Sequence, residues 1–488
     1  MTKTGNLSIN TTNILPIIKQ SLYADRDVFV RELLSNAYDA ILKRQQLDAT
    51  APDPAIHVVI NQSDKTIRIS DNGIGMTATE VEKYIAQIAF SSAAEFADKY
   101  ADTEKTTDKA AIIGHFGLGF YAAFMVAKTV EVNTLSHQDG AQAARWVCDG
   151  STEYTLDTSD RDTIGTDIIL HITEDSAEFL EEIRLRTAIE TYLNFLPVPI
   201  SLNGKVINHQ KPLWIASPQA TSDEQYTDFY KVLCPFQPEP LLWVHLNVDY
   251  PFKLTGILYF PKIRQDMQTG QVKLYCRTVF VSDDTRAVIP DFLNLLQGVI
   301  DCPDIPLSVS RDQLKNDPDV QKIGKHIVKK VADKLVQLAK QDAAKFESMW
   351  PDTSPFIKYG MIQEPAFYDK LNDVLLIESS TGDMTTVAAY QERNRDRLEN
   401  TLVYCTDPER QASYVDICKR QSLEVLFLAD LIDLHFVPFL ESKLSGSRFV
   451  AVDSDELDTL VDTTGTELVD DQNQTPSDRI KAVFTPAC

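Results

Sequence analysis

Glu32, Asn36 and Asp39 are three polar side chains spaced i, i+4 and i+7 inside an apolar stretch. On a helix of 3.6 residues per turn they share one face. Val28, Leu33, Leu34, Ala37, Ala40 and Ile41 cover the other sides, so the pattern predicts a largely buried helix. A carboxylate and an amide turned inward cost free energy unless something pairs with them. A phosphate-bound Mg²⁺ and a water nucleophile would use both groups. Glu can polarise the water, and Asn can offer a neutral oxygen to the metal while phosphates supply the charge. A solvated polar stripe on an amphipathic helix is the alternative.

Two further segments carry the same chemistry. From Ile67 to Thr77, alternating Ile67 and Ile69 predict a strand with one buried face. It runs into Asp71-Asn72-Gly73-Ile74-Gly75, where two glycines permit a tight turn and close approach of backbone to a ligand. Asp71, half buried at the strand end, is an acceptor suited to an exocyclic amino group such as that of adenine. An ordinary Asn-Gly hairpin turn is the alternative. From Ile112 to Phe124, Gly114, Gly117 and Gly119 precede an apolar helical run. Backbone N–H groups of such a loop at a helix start can cradle an anion. The G-x-x-G-x-G spacing is neither the dinucleotide fingerprint nor the P-loop, and a hinge is the alternative. Gly165-Thr166-Asp167 opens another strand, Ile168 to Leu170, with a hydroxyl available to a ligand.

In this order, the four segments resemble the nucleotide-binding motifs of the ATPase superfamily shared by gyrase B subunits, histidine kinases, MutL proteins and the ninety-kilodalton heat-shock chaperones. Ser21 to Asn36 and Gly114 to Phe124 are similar to the chaperone branch, and to its bacterial type. So are Leu274 to Val281, Ile289 to Asp301 and Pro306 to Leu314, which resemble that family's middle domain. The resemblance covers nearly the whole chain. It implies an α+β N-terminal ATPase sandwich, a mixed sheet covered by helices, followed by an α/β middle domain of two αβ subunits joined by helices.

The resemblance also assigns roles. Glu32 is implied as the general base and Asn36 as the ligand of Mg²⁺. Asp71 is implied to accept the adenine amino group, supported by Gly75 and Thr166. Gly117, Gly119 and Phe120 are implied to wrap the phosphates of ATP. Asp39, Met76 and Leu118 complete the ATP-binding set. Arg311, far away in sequence, is implied to reach the γ-phosphate, which a guanidinium can pair bidentately. Such hydrolysis asks the protein for positioning and charge stabilisation rather than covalent chemistry. The implied function is a slow ATP-driven chaperone for unfolded or partly folded client proteins. Two rivals stand beside it: a nucleotide-sensing binding scaffold with negligible hydrolysis, and a DNA-repair or topoisomerase ATPase.

Two positions depart from the family pattern. Phe90 stands where relatives usually have a phosphate-facing Lys, with Ser92 in place of a Gly. Lys315 stands where they commonly have Gln, one turn after Arg311. A lost cation weakens the triphosphate site, and Lys315 could restore charge from the other domain.

Composition narrows the classes. The chain has 488 residues, 43% of them hydrophobic, enough for two to four domains. It has no apolar run of transmembrane length and no secretory signal pattern, so a cytoplasmic protein without membrane contact is expected. Seven scattered cysteines without a C-x-x-C pair suggest reduced thiols and no zinc. A formal net charge of −24 argues against nucleic-acid binding.

The elements that must position these residues fall into an expected order. Residues 1–210 read as the nucleotide-binding unit, with a lid at about 92–120 between one motif and the glycine loop. A short linker at 211–223 leads to a middle domain at 224–452, with strands at 254–260 and 272–275 and a helix at 321–343. Then come a strand at 402–404, a helix at 408–420 and a strand at 423–428, which predict a small parallel sheet. The acidic stretch 453–478 reads as a mobile linker, and a helix start near 476 as the beginning of a further domain. Full-length relatives of the resembled family dimerise through that domain, so this chain is expected to be mainly monomeric.

Overall fold

The computed structural model describes residues 25–48, 50–88, 113, 117–209, 211–262, 271–305 and 318–457. Phe90, Ser92, Gly114, Arg311, Lys315, most of the expected lid and the acidic stretch from 458 onward lie outside the described residues. By internal contacts the chain divides into two units. The first holds residues up to Pro290 together with 294–325, and the second holds 291–293 together with the chain from His326.

In the first unit, helix α1 (Val28–Leu47) runs twenty residues without Gly or Pro. It buries Val28, Phe29, Leu33, Leu34, Ala37 and Ile41. Burying each large apolar side chain contributes about 1.5–3 kcal/mol, so this face fixes the helix to its sheet. Strands β1 (Ile56–Asn61) and β2 (Thr66–Asp71) follow, then α2 (Ala78–Tyr84). Thr77 and Glu80 cap α2 reciprocally, each side chain accepting the other's backbone N–H. The remaining strands are β3 (Ala127–Leu135), β4 (Ala144–Cys148), β5 (Tyr154–Thr158), β6 (Gly165–Ile172), β7 (Ile200–Leu202) and β8 (Lys205–Val206), with helix α3 (Glu182–Leu193) before β7. They form one mixed eight-stranded sheet in the order β5-β4-β3-β6-β2-β1-β7-β8. Only β1 and β7 pair in parallel. Burial alternates along β3 and β6, as expected when one face of a sheet is covered by helices.

The same unit continues through α4 (Asp223–Leu233) into a five-stranded sheet. It is built from β9 (Leu242–Val248), β10 (Leu254–Phe260), β11 (Val272–Cys276), β12 (Val279–Ser282) and β13 (Gln297–Asp301). The order is β12-β11-β13-β10-β9, with β11 and β13 parallel. Residues 213–215 make one 3₁₀ turn that buries Trp214 completely. Trp214 meets Phe195, Phe229 and Tyr275 at ring separations of 4.9–5.8 Å.

Helix α5 (Pro318–Gln341) leads into the second unit. There α6 (Ala343–Gln363) and α7 (Pro365–Leu371) precede a second αβ sheet. Its elements are β14 (Ile377–Ser379), β15 (Met384–Thr385), α8 (Val387–Leu398), β16 (Thr401–Cys405), α9 (Ala412–Arg420), β17 (Leu426–Phe427), α10 (Asp433–Lys443) and β18 (Arg448–Ala451). β16 pairs in parallel with both β17 and β18, so the predicted parallel core is present, and β14–β15 add an antiparallel edge. The fold class is as expected: a helix-covered mixed sheet followed by αβ subunits joined by helices. Among the described residues, no helix is long and apolar enough to cross a membrane.

Candidate functional site

The polar stripe of α1 lies where the sequence pattern puts it. Glu32 and Asp39 are buried, and Asn36 between them is half-buried. Glu32 is held by its neighbour. Arg31 donates to Glu32 Oε1 from Nε at 3.1 Å, and Arg31 Nη2 lies 3.0 Å from the same oxygen. The Arg31 guanidinium also sits 5.6 Å from the Tyr192 ring centre. The other carboxylate oxygen, Oε2, faces the glycine loop. A Cβ added to Gly119 would come within 2.3 Å of it. No side chain can replace that glycine without displacing Glu32, so the carboxylate and the loop are in direct apposition.

The loop itself is tied to the same helix. Asp39 Oδ1 accepts the Ile113 backbone N–H at 2.8 Å. Gly117 has a φ of +66°, in the region glycine favours. Leu118 follows, and Gly119–Met125 forms a 3₁₀ helix rather than the expected α-helical run. Its Tyr121 N–H bonds to Leu118 carbonyl at 3.1 Å, an i to i+3 step that tightens the turn. Phe120 is buried, edge-on to Tyr121 and Trp146 at 5.6 and 5.7 Å. Its ring belongs to the core, which leaves its backbone as the part of Phe120 able to meet a ligand.

At the other end of the site, Asp71 closes β2. It is buried, and its carboxylate accepts the Gly73 N–H at 2.9 Å. Across the β2–β6 ladder it stands opposite Thr166. Thr166 Oγ1 lies 3.0 Å from Thr134 Oγ1, which accepts the Met76 N–H at 2.9 Å. Gly75 has φ +64°, and a Cβ there would meet Leu135 carbonyl oxygen at 1.8 Å, so only glycine lets the turn cross the end of β3. Ile74 N–H bonds back to Ala40 of α1 at 2.9 Å. Burial pushes the Asp71 carboxyl up to about 7; the Gly73 N–H, the Arg161 charge and the Thr166 N–H pull it down, and Asp167 pushes it further up. Asn72 is structural: its side chain donates to Asp53 carbonyl at 2.7 Å, and its carbonyl accepts from Arg44 at 2.8 Å.

α1, β2 and the glycine loop thus bring Glu32, Asn36, Asp39, Asp71, Gly75, Met76, Gly117, Leu118, Gly119, Phe120 and Thr166 into one connected region. Arg311 lies outside the described residues. Sequence reasoning missed four residues: Arg31, Lys43, Thr134 and Arg161. Lys43 continues the stripe one turn beyond Asp39. Its ammonium is pulled below the usual lysine range by burial, with Asp39 and Glu80 opposing. The i+4 spacing from Asp39 was the signal for it. Among the described residues, no cluster of three His, Cys, Asp or Glu side chains could hold a metal by itself. One amide oxygen at Asn36 suits Mg²⁺, which keeps most of its waters and takes its other ligands from phosphates.

Comparison with known proteins agrees with this geometry. A family model described as histidine kinase-, DNA gyrase B- and HSP90-like ATPase matches residues 26–183, and the Hsp90 protein model matches residues 201–485. The chain is similar to "Chaperone protein htpG" of Bacteroides fragilis, 45% identical over 485 residues, covering 94% of this chain and 70% of the relative. It is 43% identical over 490 residues to "Chaperone protein HtpG" of Porphyromonas gingivalis, covering 94% and 71%. The mitochondrial "TNF receptor-associated protein 1 homolog" of Dictyostelium discoideum is 32% identical over 478 residues, covering 93% and 66%.

Proposed function

The chain belongs to the Hsp90 family, and from that premise we propose how its residues run the cycle of an ATP-dependent molecular chaperone. The protein is an ATPase that binds nucleotide in a domain of the gyrase B and histidine kinase type, and it acts on client proteins. The rival scaffold with negligible hydrolysis is not favoured beside these matches.

In this reading ATP lies between β2 and the glycine loop. Its adenine amino group donates to Asp71, and Thr166, Gly75 and Met76 line that end. Backbone N–H groups from Gly117 to Phe120 receive the phosphates, which a turn of small residues admits closely. Asp39 holds the start of the loop through Ile113. Asn36 would ligate Mg²⁺, which neutralises phosphate charge when bound. Glu32 accepts a proton from the attacking water, and Arg31 fixes the direction of its carboxylate. Arg311 supplies a cation to the γ-phosphate from beyond residue 210. Phe90 in place of Lys flattens the preference for ATP over ADP, and Lys315 returns a positive charge near Arg311.

The domain assignment follows: nucleotide binding in 1–210 with a lid at about 92–120, a linker at 211–223 and a middle domain at 224–452. Cytoplasmic residence and a mainly monomeric chain belong to the same proposal. A net charge of −24 opposes close approach of two copies at low salt.

The observation that carries the reading is the contact of Glu32 Oε2 with the Gly119 position. It sets a buried carboxylate that can activate water against the loop that would hold phosphate. Glu32→Ala should abolish hydrolysis while leaving ADP affinity unchanged, as measured by single-turnover assay and calorimetry. Hydrolysis at the wild-type rate in Glu32→Ala would refute the assignment.

A further inference from the structure

The start of β6 and the loop before it carry a charged pair that the mechanism above does not use. Arg161 Nη1 lies 2.8 Å from Asp167 Oδ1, with 13% and 19% of the two side chains exposed. Arg161 Nε donates to Thr163 carbonyl at 2.9 Å, and its own backbone N–H is held by Ser159 Oγ at 3.3 Å. The guanidinium is therefore fixed on two sides. Its location matters. A Cβ on Gly165 would meet Asp71 carbonyl oxygen at 2.2 Å, Asn72 Cα at 3.0 Å and Arg161 Nη2 at 3.1 Å. The missing side chain lets the guanidinium lie against the end of β2 that carries Asp71. Asp167 stands opposite Ser70, one step from the Asp71–Thr166 pair.

We propose that Arg161, held by Asp167 beside the end of β2, is a positioning residue of the adenine subsite that acts through Asp71. The inference rests on the reading of Asp71 as the adenine acceptor and adds the groups that govern it. The Arg161 charge favours the ionised carboxylate, and Asp167 opposes it. The other charged groups around this end of β2 include His137, whose backbone N–H donates to Ile74 carbonyl at 2.9 Å in the turn after Asp71. Arg44 of α1 donates to Asn72 carbonyl, Asp39 takes the Ile113 N–H, and Lys43 responds to Asp39 and Glu80. On β1, Ile56 stands opposite Asp71, and His57 bonds Ser201 at 2.7 Å. On β3, Thr134 presents its hydroxyl, Asn133 stands opposite Asp167, and Glu131 is paired with Arg145. Ionised Asp71 is the stronger acceptor for an amino hydrogen, so adenine-nucleotide affinity rises with pH as Asp71 loses its proton.

The test is calorimetric titration of ADP into the full chain between about pH 5.5 and 8.5. Arg161→Gln should move the rise in affinity upward by about one pH unit, and Asp167→Asn should move it downward. Near pH 6.5 this reads as roughly fivefold to tenfold weaker ADP binding in Arg161→Gln and roughly threefold tighter binding in Asp167→Asn. Toward the upper end of the range the proteins converge. Arg161→Lys should keep the wild-type midpoint. The terminal phosphate of ADP titrates alike in all of them and cancels in the comparison. If Arg161→Gln fails to fold, the Asp167→Asn and Arg161→Lys arms decide. Shifts in the same direction, no shift, or a loss independent of pH would overturn the inference, provided that Asp71→Asn still weakens ADP binding about tenfold or more. Normal ADP binding by Asp71→Asn would instead overturn the nucleotide reading itself.

Discussion

Asp71 in the first unit and Glu424 in the second are carboxylates withdrawn from water to almost the same degree, 7% and 8% exposed. Their surroundings differ. Glu424 accepts from Ser379 Oγ at 2.6 Å, Asn394 Nδ2 at 2.8 Å, and Arg393 Nη2 and Nε at 2.6 and 3.2 Å. Burial pushes its carboxyl up, but these donors together outweigh burial and bring it below the usual range. Asp71 has backbone donors, the Gly73 N–H at 2.9 Å and the Thr166 N–H, and is still pushed up to about 7 by burial. A raised carboxyl alone does not mark a ligand site. Asp301 is also pushed up by burial, yet it takes Thr278 N–H, Arg277 N–H and Trp214 Nε1–H at 2.7, 2.8 and 3.2 Å. It ties β13 to two other segments of its own chain, the Arg277–Thr278 turn and Trp214. What separates Asp71 is its donor set: among the described residues it takes backbone N–H groups and no side-chain hydrogen bond, too little to outweigh burial.

If that distinction holds, breaking a self-satisfied cluster should cost stability and spare binding. The second unit offers the sharpest case. Lys358, buried in α6, lies 2.8 Å from Asp433 Oδ1 and 3.0 Å from Asp430 Oδ2. Lys358→Met should destabilise the chain to urea by about 3–5 kcal/mol, since it leaves Asp433 buried and uncompensated. A parallel fall in ADP affinity would break the comparison.

Asp71 should behave in the opposite sense. Its folded-state carboxyl, at about 7, lies above the ordinary value of 3.8, so the stability tied to that shift is complete below about pH 4 and is lost as pH rises through about 7. Asp71→Asn should therefore stabilise the ligand-free chain by roughly 1–3 kcal/mol near pH 8 and by little near pH 4. Thermal melting across pH checks this, and equal stability at both ends would blur the contrast with Glu424.

Gly119→Ala probes Glu32, a carboxylate already oriented by its neighbour. The new methyl would displace Glu32 Oε2 and should lower turnover by about tenfold, with ADP affinity affected less. Steady-state hydrolysis beside calorimetry separates the two effects. The smallest change is expected at Glu424→Gln, about 1 kcal/mol at neutral pH. Its folded carboxyl sits below the ordinary 4.5, so the stability is present above that value and lost as pH falls through the folded one. The variant should have lost that acid sensitivity.

Much of the site was legible because it rests on short-range pattern. The i, i+4, i+7 stripe gave α1, and the alternation of Ile67 and Ile69 gave β2 ending at Asp71. The small parallel sheet of the second unit was also visible, although its helix and second strand are shorter than expected while β16 extends one residue further at each end. α9 begins at Ala412 because Gln411 Oε1 accepts from Thr406 and Asp407 N–H and holds the chain before it as a turn. β17 pairs only over Leu426 and Phe427, where β14 and β16 reach it. Arg31 was hidden because consecutive helix residues do not face each other by periodicity, yet its long side chain folds back on Glu32. Thr134 was hidden because strand register, rather than local spacing, brings it to Thr166 and Asp71, and Arg161 because the loop before β6 brings it there through its ion pair with Asp167.

The central claim is that Asp71, a buried carboxylate held by backbone N–H groups of its own chain, serves to bind an adenine nucleotide. ADP titrated by calorimetry into wild type, Asp71→Asn and Glu424→Gln near pH 8 tests it most directly. The account predicts about tenfold or greater loss of affinity in Asp71→Asn, the weight of one charge-assisted hydrogen bond, with wild-type affinity in Glu424→Gln. Wild-type affinity in Asp71→Asn would contradict it.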